Sequence, residues 1–195
     1  MDEEVIQLHL IKKKIRNLLR CRQRNSINDD RLIPAAVLVP LFDNGGDVNL
    51  LLIKRSRHVK THPYQISFPG GVLDHADRDL DETALRETFE EVGIDRSCVE
   101  ILGPLDDYAT ISNYCITPYV GVIPSLRDLR VNRREVEAII DIPLRSLCDA
   151  RYEKILSLAE GKKHTYIYRS GPFTIWGATA RILKDFLDIF KELKG

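Results

Sequence analysis

The 195-residue sequence predicts an α+β fold in a single domain, with a mixed β-sheet between helices. The chain is long enough for one well-buried core and short for two. Its apolar fraction of 44% and charged fraction of 30% are typical of a globular protein. The predicted elements run helix, several strands, helix, several strands, helix. That order is typical of α+β folds.

The first predicted elements are an amphipathic helix and a β-hairpin. Residues 3–22 form the helix, with basic residues between apolar ones at helical spacing. These apolar residues are Val5, Leu8, Ile11, Ile15, Leu18 and Leu19. The strand-like runs "LIPAAVLVPLF" and "VNLLLIKRS" follow, separated by the turn sequence "DNGGD". Within a domain spanning 1–195, we expect residues 1–24 to hold the N-terminal helix and 30–190 the core.

A second helix is predicted over residues 81–92. Asp81 is its expected N-cap, and Gly93 its left-handed C-terminal cap. Strands are expected at 98–102, 104–111 and 114–124, and in "RREVEAIIDIPL", which ends at Pro143. A short helix in "PLRSLCD", a hairpin in "HTYIYRSGPFTIWG" and a helix over 177–192 complete the chain. Trp176, a lone tryptophan in an apolar run, is expected in the core.

The composition argues against several classes of protein. Basic and acidic residues both number 29, so no overall field favours nucleic acid or an anionic membrane. No apolar run approaches the roughly 20 residues that span a bilayer, and the N-terminus lacks a secretory signal core. The cysteines match neither a zinc pattern nor a disulfide framework, which indicates reduced thiols in a cytoplasmic protein. They are Cys21, Cys98, Cys115 and Cys148.

Three carboxylates lie close together in the second predicted helix. At about 100° per residue, Glu87, Glu90 and Glu91 share an arc of roughly 100°. The opposite stripe, expected to face the core, consists of Leu85, Phe89 and Val92. Like charges this close repel each other unless a cation lies between them, and Mg²⁺ prefers carboxylate oxygens. The alternative is a solvated charged face on an amphipathic helix.

The segment before this helix strengthens the metal interpretation. Pro69, Gly70 and Gly71 form a turn that leads toward the acidic helix. Glycines let the backbone approach a ligand closely, and a carbonyl at Gly71 could supply one more oxygen to a metal.

The segment "GGVLDHADRDLDETALRETFEEVGI" resembles the Nudix box, G-x5-E-x7-R-E-U-x-E-E-x-G-U, in which U is apolar. Gly71 fits the opening glycine, and "RETFEEVGI" matches closely. The sequence departs from the pattern in having one extra residue between Gly71 and Arg86. Asp77 replaces the first glutamate, with Asp79 as the other candidate, and Thr88 occupies a position that is usually apolar.

The resemblance implies a Nudix-like α/β/α sandwich that hydrolyses a nucleoside diphosphate linked to another group. It also implies Mg²⁺ or Mn²⁺ as cofactor, with Glu87 and Glu91 as first-choice ligands and Glu90 and Gly71 sharing the site. Arg86 would orient the carboxylates.

The catalytic base varies within the family, being either a box glutamate or an acid from a later loop. Glu135 and Glu137 are the later candidates here. Both could equally be surface acids on an edge strand.

The preceding stretch "LLIKRSRHVKTHPYQISFPGG" is similar to the signature of the coenzyme A subgroup of Nudix hydrolases, L-L-T-x-R-[SA]-x3-R-x3-G-x3-F-P-G-G. Ile53, Lys60 and Tyr64 replace the expected Thr, Arg and Gly. "IWGATARIL" is similar to the C-terminal segment of this subgroup. Basic residues next to the glycine turn suit a substrate with several phosphates, or form a basic solvated loop. The predicted substrate-binding residues are Arg55, Arg57, His58, Lys60, Tyr64 and Phe68.

The expected reaction is therefore hydrolysis of coenzyme A or its thioesters to 3′,5′-ADP and a 4′-phosphopantetheine product. ADP-ribose, a dinucleotide or a noncanonical nucleoside triphosphate is the alternative substrate if Tyr64 closes the coenzyme A site. A non-catalytic nucleotide- or RNA-binding protein is the second alternative, which the retained carboxylates do not favour. The expected partner is a small nucleoside diphosphate derivative, with no nucleic acid and no membrane; a homodimer is left open.

Overall fold

The computed structural model describes residues 3–149, 152–157 and 163–192. Within them, the helices are α1 (Glu3–Cys21), α2 (Leu80–Val92), α3 (Leu144–Asp149) and α4 (Gly177–Glu192). Short 3₁₀ helices span Arg96–Cys98 and Leu126–Asp128. The first strands are β1 (Ile33–Asn44), β2 (Asp47–Arg55), β3 (Ile66–Ser67), β4 (Gly70–Val72), β5 (Glu100–Pro104) and β6 (Tyr108–Ala109). The later strands are β7 (Tyr114–Val122), β8 (Val136–Pro143), β9 (Tyr152–Ser157), β10 (Lys163–Ser170) and β11 (Phe173–Trp176).

The main sheet is mixed, as the sequence predicts. Its backbone order is β3-β2-β1-β7-β5, with β4 on β1, β6 on β7 and β8 on β2. Strands β1 and β7 run parallel from Ile33 opposite Tyr114 to Leu41 opposite Val122. The pairings of β1 with β2 and β4, of β2 with β3 and β8, and of β7 with β5 and β6 are antiparallel. A second, antiparallel sheet has the order β11-β10-β9.

Both predicted hairpins are present. The β1–β2 turn pairs Asn44 with Asp47, and the glycines between them have φ of 63° and 95°, which glycine adopts without strain. The β10–β11 turn pairs Ser170 with Phe173.

Apolar side chains fill both faces of the main sheet, which makes the predicted sandwich. On one face, α1 and α4 pack over a large cluster that includes Leu50 and Leu52 of β2. On the other face, α2 covers a smaller cluster that includes Leu51 and Ile53. Strand β2 is therefore buried on both sides, which explains its uninterrupted apolar run.

The predicted N-cap of α2 is wrong by two residues. Asp79, not Asp81, holds that position: its backbone is extended, and its carboxylate accepts a hydrogen bond from Glu82 N at 3.2 Å. The helix therefore begins at Leu80. The predicted C-terminal cap is confirmed, since Gly93 has φ of 78° and donates to Phe89 O at 2.9 Å.

The predicted strand over 104–111 is mostly absent, because the chain is held there by side-chain contacts instead of strand pairing. Arg22 donates to Asp106 at 2.6 Å, and Arg24 pairs with Asp107. The Asp107 carboxylate also accepts from Ile27 N at 2.8 Å. These contacts fix the polar segment after α1 against the sheet, leaving only the short strand β6.

Trp176 is a further difference, being 46% exposed instead of in the core. Burial alternates along strand β11, and Ile175, the neighbour of Trp176, takes the buried position.

Among the described residues, no helix combines the length and apolar character needed to cross a membrane.

Candidate active site

Helix α2 points two of the three clustered glutamates, Glu87 and Glu91, toward the sheet. Glu91 is 2% exposed and the Glu87 side chain is largely buried, whereas Glu90 is half exposed. The expected orientation is wrong in part: Phe89, predicted to face the core, is 54% exposed, whereas Val92 of the same predicted stripe is fully buried. The fully buried stripe consists of Ala84, Thr88 and Val92. Small side chains at the first two positions bring the helix close to the sheet, and the Thr88 hydroxyl is satisfied by Ala84 O at 2.6 Å.

The glycine turn lies directly against these glutamates. Gly70 N donates to Glu91 Oε2 at 3.1 Å. A Cβ added at Gly71 would lie 2.4 Å from Glu87 Oε1. Any residue other than glycine at this position would therefore collide with the Glu87 carboxylate. We call Glu87, Glu91, Gly70 and Gly71 the carboxylate cradle.

Arg86 and Asp77 brace the cradle from one side. Arg86 donates to Asp77 Oδ1 at 3.0 Å and to Glu87 Oε1 at 2.8 Å, and it also reaches Val72 O at 3.1 Å. Thr83 donates to the same aspartate at 2.8 Å. The hydrogen bond from Arg86 lowers the pKa of Asp77 to about 2. Of the two candidates for the first acidic position of the box, Asp77 is thus the one that contacts the arginine, while Asp79 caps the helix.

Arg55 and Ser67 bring unused polar atoms to the same region. Arg55 Nη1 lies 3.8 Å from Glu91 Oε1. Arg55 Nε and Ser67 Oγ are buried and have no hydrogen-bond partner among the described residues. Ser67 pairs with Ile53, two residues before Arg55, so both side chains leave the sheet on the α2 face. Sequence analysis missed Ser67; the only signal was its place next to "FPGG".

The electrostatics of the cradle favour a cation. The pKa of Glu91 is raised to about 8, mainly by burial and also by the Glu87 and Glu135 carboxylates, against the opposing effects of Gly70 N–H and Arg55. Burial also raises the pKa of Glu87, against the effect of Arg86. Two partly desolvated carboxylates therefore lie side by side without enough positive charge to ionise both easily.

Glu135 and Glu137, equal candidates in the sequence, occupy different surroundings. Glu135 lies close enough to contribute to the raised pKa of Glu87 and Glu91, and its carbonyl accepts from Ser56 N at 2.7 Å. Glu137 instead pairs with Lys54 Nζ at 2.6 Å. Because Lys54 and Arg55 alternate along β2, this pair lies on the opposite face of the sheet from the cradle.

The predicted substrate-binding residues do not all lie together. Arg57, His58 and Lys60 are exposed on the connection after Arg55, with Arg57 Nε donating to His58 Nε2 at 3.1 Å. Tyr64, at the end of this connection, is also exposed. Phe68 is 3% exposed and packs in the core, so its side chain does not share a surface with the others.

The donor set of the cradle suits a hard divalent ion. Among the described residues, no three His, Cys, Asp or Glu side chains converge to form a metal site by themselves. Two carboxylates beside a glycine turn are an all-oxygen, incomplete set, and Mg²⁺ binds in such sites while keeping waters and taking oxygens from substrate phosphates. The residues present therefore fit the metal.

Comparison with known proteins identifies the family. The family model of the NUDIX domain matches residues 32–143. Over 188 residues the chain is 34% identical to a protein of Enterobacter sp. (strain 638) named as an uncharacterized Nudix hydrolase, NudL, with 95% of this chain and 92% of the relative covered. The chain belongs to the Nudix hydrolase family. It is 36% identical over 153 residues to the NudL of Escherichia coli O1:K1 / APEC, covering 77% of this chain and 79% of the relative.

Solved structures agree on the fold. The MutT protein from Methanosarcina mazei Go1 superposes with a TM-score of 0.50 at 16% identity, covering 89% of this chain and 96% of that one. DR0079 from Deinococcus radiodurans gives 0.51 at 15% identity, covering 80% and 86%. The Nudix assignment predicted from "RETFEEVGI" is confirmed, and the protein is a Nudix pyrophosphohydrolase.

Proposed function

We propose that this Nudix hydrolase cleaves the diphosphate bond of coenzyme A or its thioesters with Mg²⁺ or Mn²⁺, giving 3′,5′-ADP and a 4′-phosphopantetheine product. The observation that carries the proposal is Arg55 Nη1 at 3.8 Å from Glu91 Oε1. This contact joins the segment similar to the coenzyme A signature to the carboxylate cradle. Unused donors at Arg55 and Ser67 are what a diphosphate oxygen requires.

Each part of the site has a role in this reaction. Glu87 and Glu91 would hold the metal, which when bound neutralises diphosphate charge and lowers the pKa of a water. Arg86 fixes Glu87, and Asp77 fixes Arg86. Arg55 binds a phosphate oxygen and orients the diphosphate. Glu135, whose charge acts on both Glu87 and Glu91, accepts the proton of the attacking water at its carboxylate.

The basic connection after Arg55 extends the site toward further phosphate. Arg57 and Lys60 are exposed and concentrate positive charge on the connection that follows Arg55, in a chain of zero net charge. Coenzyme A carries a 3′-phosphate in addition to its diphosphate, so it uses this charge more fully than ADP-ribose does.

The test is incubation with Mg²⁺ or Mn²⁺ and coenzyme A, acetyl-coenzyme A, ADP-ribose, NADH or deoxynucleoside triphosphates, with products separated by chromatography. Glu91→Gln is run alongside Glu192→Gln, a remote exposed carboxylate at the end of α4. We expect 3′,5′-ADP from coenzyme A, lost in Glu91→Gln and kept in Glu192→Gln. Cleavage of ADP-ribose or a triphosphate, with coenzyme A untouched, would refute the substrate assignment and leave the Nudix chemistry in place.

A further inference from the structure

Asn132 connects the C-terminal end of helix α2 with the acid Glu135. Its backbone N–H donates to Glu91 O at 2.9 Å, and its side-chain Nδ2 donates to Glu135 Oε1 at 3.2 Å. The backbone N–H of Glu135 donates in return to Asn132 O at 3.0 Å. One residue therefore contacts both a proposed metal ligand and the proposed base.

The segment that contains Asn132 packs closely on the end of α2. Arg130 N donates to Val92 O at 3.0 Å, next to the bond from Asn132 to Glu91 O. The last carbonyls of an α-helix lack a partner within the helix, and this segment supplies donors to two of them. A Cβ added at Gly93 would lie 2.7 Å from Arg130 Cβ, so the close approach depends on glycine. The backbone therefore fixes the position of Asn132 relative to the helix.

The side chain of Asn132 is held in one orientation. Its Oδ1 accepts from Arg134 N at 3.1 Å. Because the amide oxygen is used in this way, the amide presents its N–H groups to the carboxylate of Glu135. The backbone of Glu135 is fixed as well, since its carbonyl accepts from Ser56 N at 2.7 Å. Contacts on both sides thus restrict the place of this carboxylate.

A β-bulge in β8 determines which acid this segment brings to the cradle. Arg55 pairs with Val136, whereas continuing the register from Lys54 would place Glu137 opposite Arg55. The extra residue therefore lies at Glu137, whose carboxylate pairs with Lys54 on the other face of the sheet. Bulges next to active sites commonly redirect side chains. Here the bulge turns Glu137 away and leaves Glu135 on the side of the cradle.

We propose that Asn132 is the positioning residue of the catalytic base, holding the Glu135 carboxylate at a fixed place relative to Glu91. The inference rests on the role as base proposed above for Glu135. Proton transfer requires the base within hydrogen-bond reach of the attacking water, so a misplacement of about 1 Å costs about 100-fold in rate. Asn132 acts through Glu135 and not on the substrate.

The test is a double-mutant cycle of Asn132→Asp and Glu135→Gln, measured on the substrate that the wild type cleaves. Aspartate has the shape of asparagine and keeps an acceptor for Arg134 N, but it turns a carboxylate oxygen toward Glu135. We expect kcat to fall about 10- to 100-fold in Asn132→Asp and at least about 100-fold in Glu135→Gln. The double variant should lose no more kcat than Glu135→Gln alone, because both changes disable one group. KM and the affinity for Mn²⁺ should stay within about threefold of wild type in Asn132→Asp.

Thermal unfolding without metal gives a second readout. Asn132→Asp should unfold about 2–4 °C below wild type, because two carboxylates then face each other. The double variant should regain this loss, since a glutamine amide at position 135 can donate to an aspartate at position 132. Stability is thus restored while kcat is not, which a purely structural role of Asn132 would not produce.

Asn44→Asp is the matched control. Asn44 Nδ2 donates to Asp141 Oδ2 at 2.7 Å, at the opposite end of β2 from Arg55. This variant removes the same kind of hydrogen bond far from the cradle. It should lower the unfolding temperature and leave kcat unchanged.

The outcomes distinguish this inference from the substrate assignment. Cleavage of ADP-ribose in place of coenzyme A, with the predicted cycle, would refute the substrate and support the role of Asn132. Losses of kcat that multiply in the double variant would overturn the inference, as would a loss of Mn²⁺ affinity in Asn132→Asp that matches its loss of kcat. Wild-type kcat in Glu135→Gln would overturn both the role of Glu135 as base and the inference, with hydrolysis of coenzyme A still in place.

Discussion

Replacing Gly71 with alanine should separate activity from stability. The added Cβ would lie 2.4 Å from Glu87 Oε1, whereas ordinary van der Waals contact begins at 3.4 Å. The Glu87 carboxylate must therefore retreat by about 1 Å, away from the proposed metal site and out of its 2.8 Å hydrogen bond from Arg86. A misplacement of about 1 Å at a catalytic group can cost about 100-fold in rate, and we expect that loss in kcat/KM.

The stability of Gly71→Ala should not fall together with its activity. The φ of Gly71 is not left-handed, so alanine fits the backbone of β4, and the group it displaces is the end of a flexible side chain. Alanine also reduces the entropy of the unfolded chain. We therefore expect the free energy of unfolding of Gly71→Ala to be unchanged or higher by up to about 1 kcal/mol.

Gly45→Ala is the matched control because its expected effects are the reverse. Gly45 has φ of 63° in the β1–β2 turn, with no atom within 4 Å of an added Cβ. Alanine there is strained by about 1 kcal/mol but lies in open space, so stability falls and kcat/KM is kept. Urea unfolding and initial rates on the preferred substrate measure both quantities. Wild-type kcat/KM in Gly71→Ala, or a loss matched by lost stability, would refute the role assigned to Glu87.

Further predictions concern charge and burial. In metal-free buffer, the raised pKa of Glu91 means that wild-type stability is lost as the pH rises from 4.5 through about 8. Urea unfolding at pH 9 should therefore find Glu91→Gln more stable by about 2–4 kcal/mol, and adding Mg²⁺ should stabilise only the wild type; equal stability at all pH values would contradict the burial of this charge. The lowered pKa of Asp77 contributes stability above pH 3.8 that disappears as the pH falls through about 2. Asp77→Asn should thus cost about 1–2 kcal/mol at pH 7 and nothing near pH 2, by thermal unfolding across pH; a cost that persists in acid would point to packing instead of the bond to Arg86. Asp107→Asn leaves the charge of Arg24 without its partner and should cost about 2–3 kcal/mol in urea unfolding with kcat unchanged; a fall in kcat would mean that the segment after α1 belongs to the active site.

The parts of the fold that could be predicted are those specified locally. The turn "DNGGD" fixes a hairpin because Gly45 and Gly46 supply the left-handed residues that the β1–β2 connection needs. Gly93 ends α2 for the same reason, and the alternating or continuous apolar runs identify the strands. The box motif alone is sufficient to predict the family correctly.

The orientation of α2 could not be predicted from hydrophobicity. Apolar periodicity turns Phe89 inward and Glu91 outward, but the helix does the opposite. The helix approaches the sheet through Ala84 and Thr88, whose small size matters more than their polarity, and Gly70 supplies the N–H that Glu91 needs when buried. Functional sites are where residues are expected to depart from the local hydrophobic pattern, and the buried carboxylate of Glu91 is such a departure.

The exposure of Trp176 could not be predicted from hydrophobicity either. A lone tryptophan in an apolar run is usually buried, yet strand alternation gives the inward position to Ile175. Which of two adjacent apolar residues faces inward depends on the register of β11 against β10, and that register is a tertiary property.

The central claim is that Glu87 and Glu91, placed beside Gly70 and Gly71, hold a divalent cation. The most direct measurement is a titration with Mn²⁺, followed by electron paramagnetic resonance, of wild type, Glu87→Gln, Glu91→Gln and Glu192→Gln. We predict saturable binding by wild type and Glu192→Gln, and affinity at least about tenfold weaker in both cradle variants. Wild-type affinity for Mn²⁺ in Glu87→Gln and Glu91→Gln would contradict the claim.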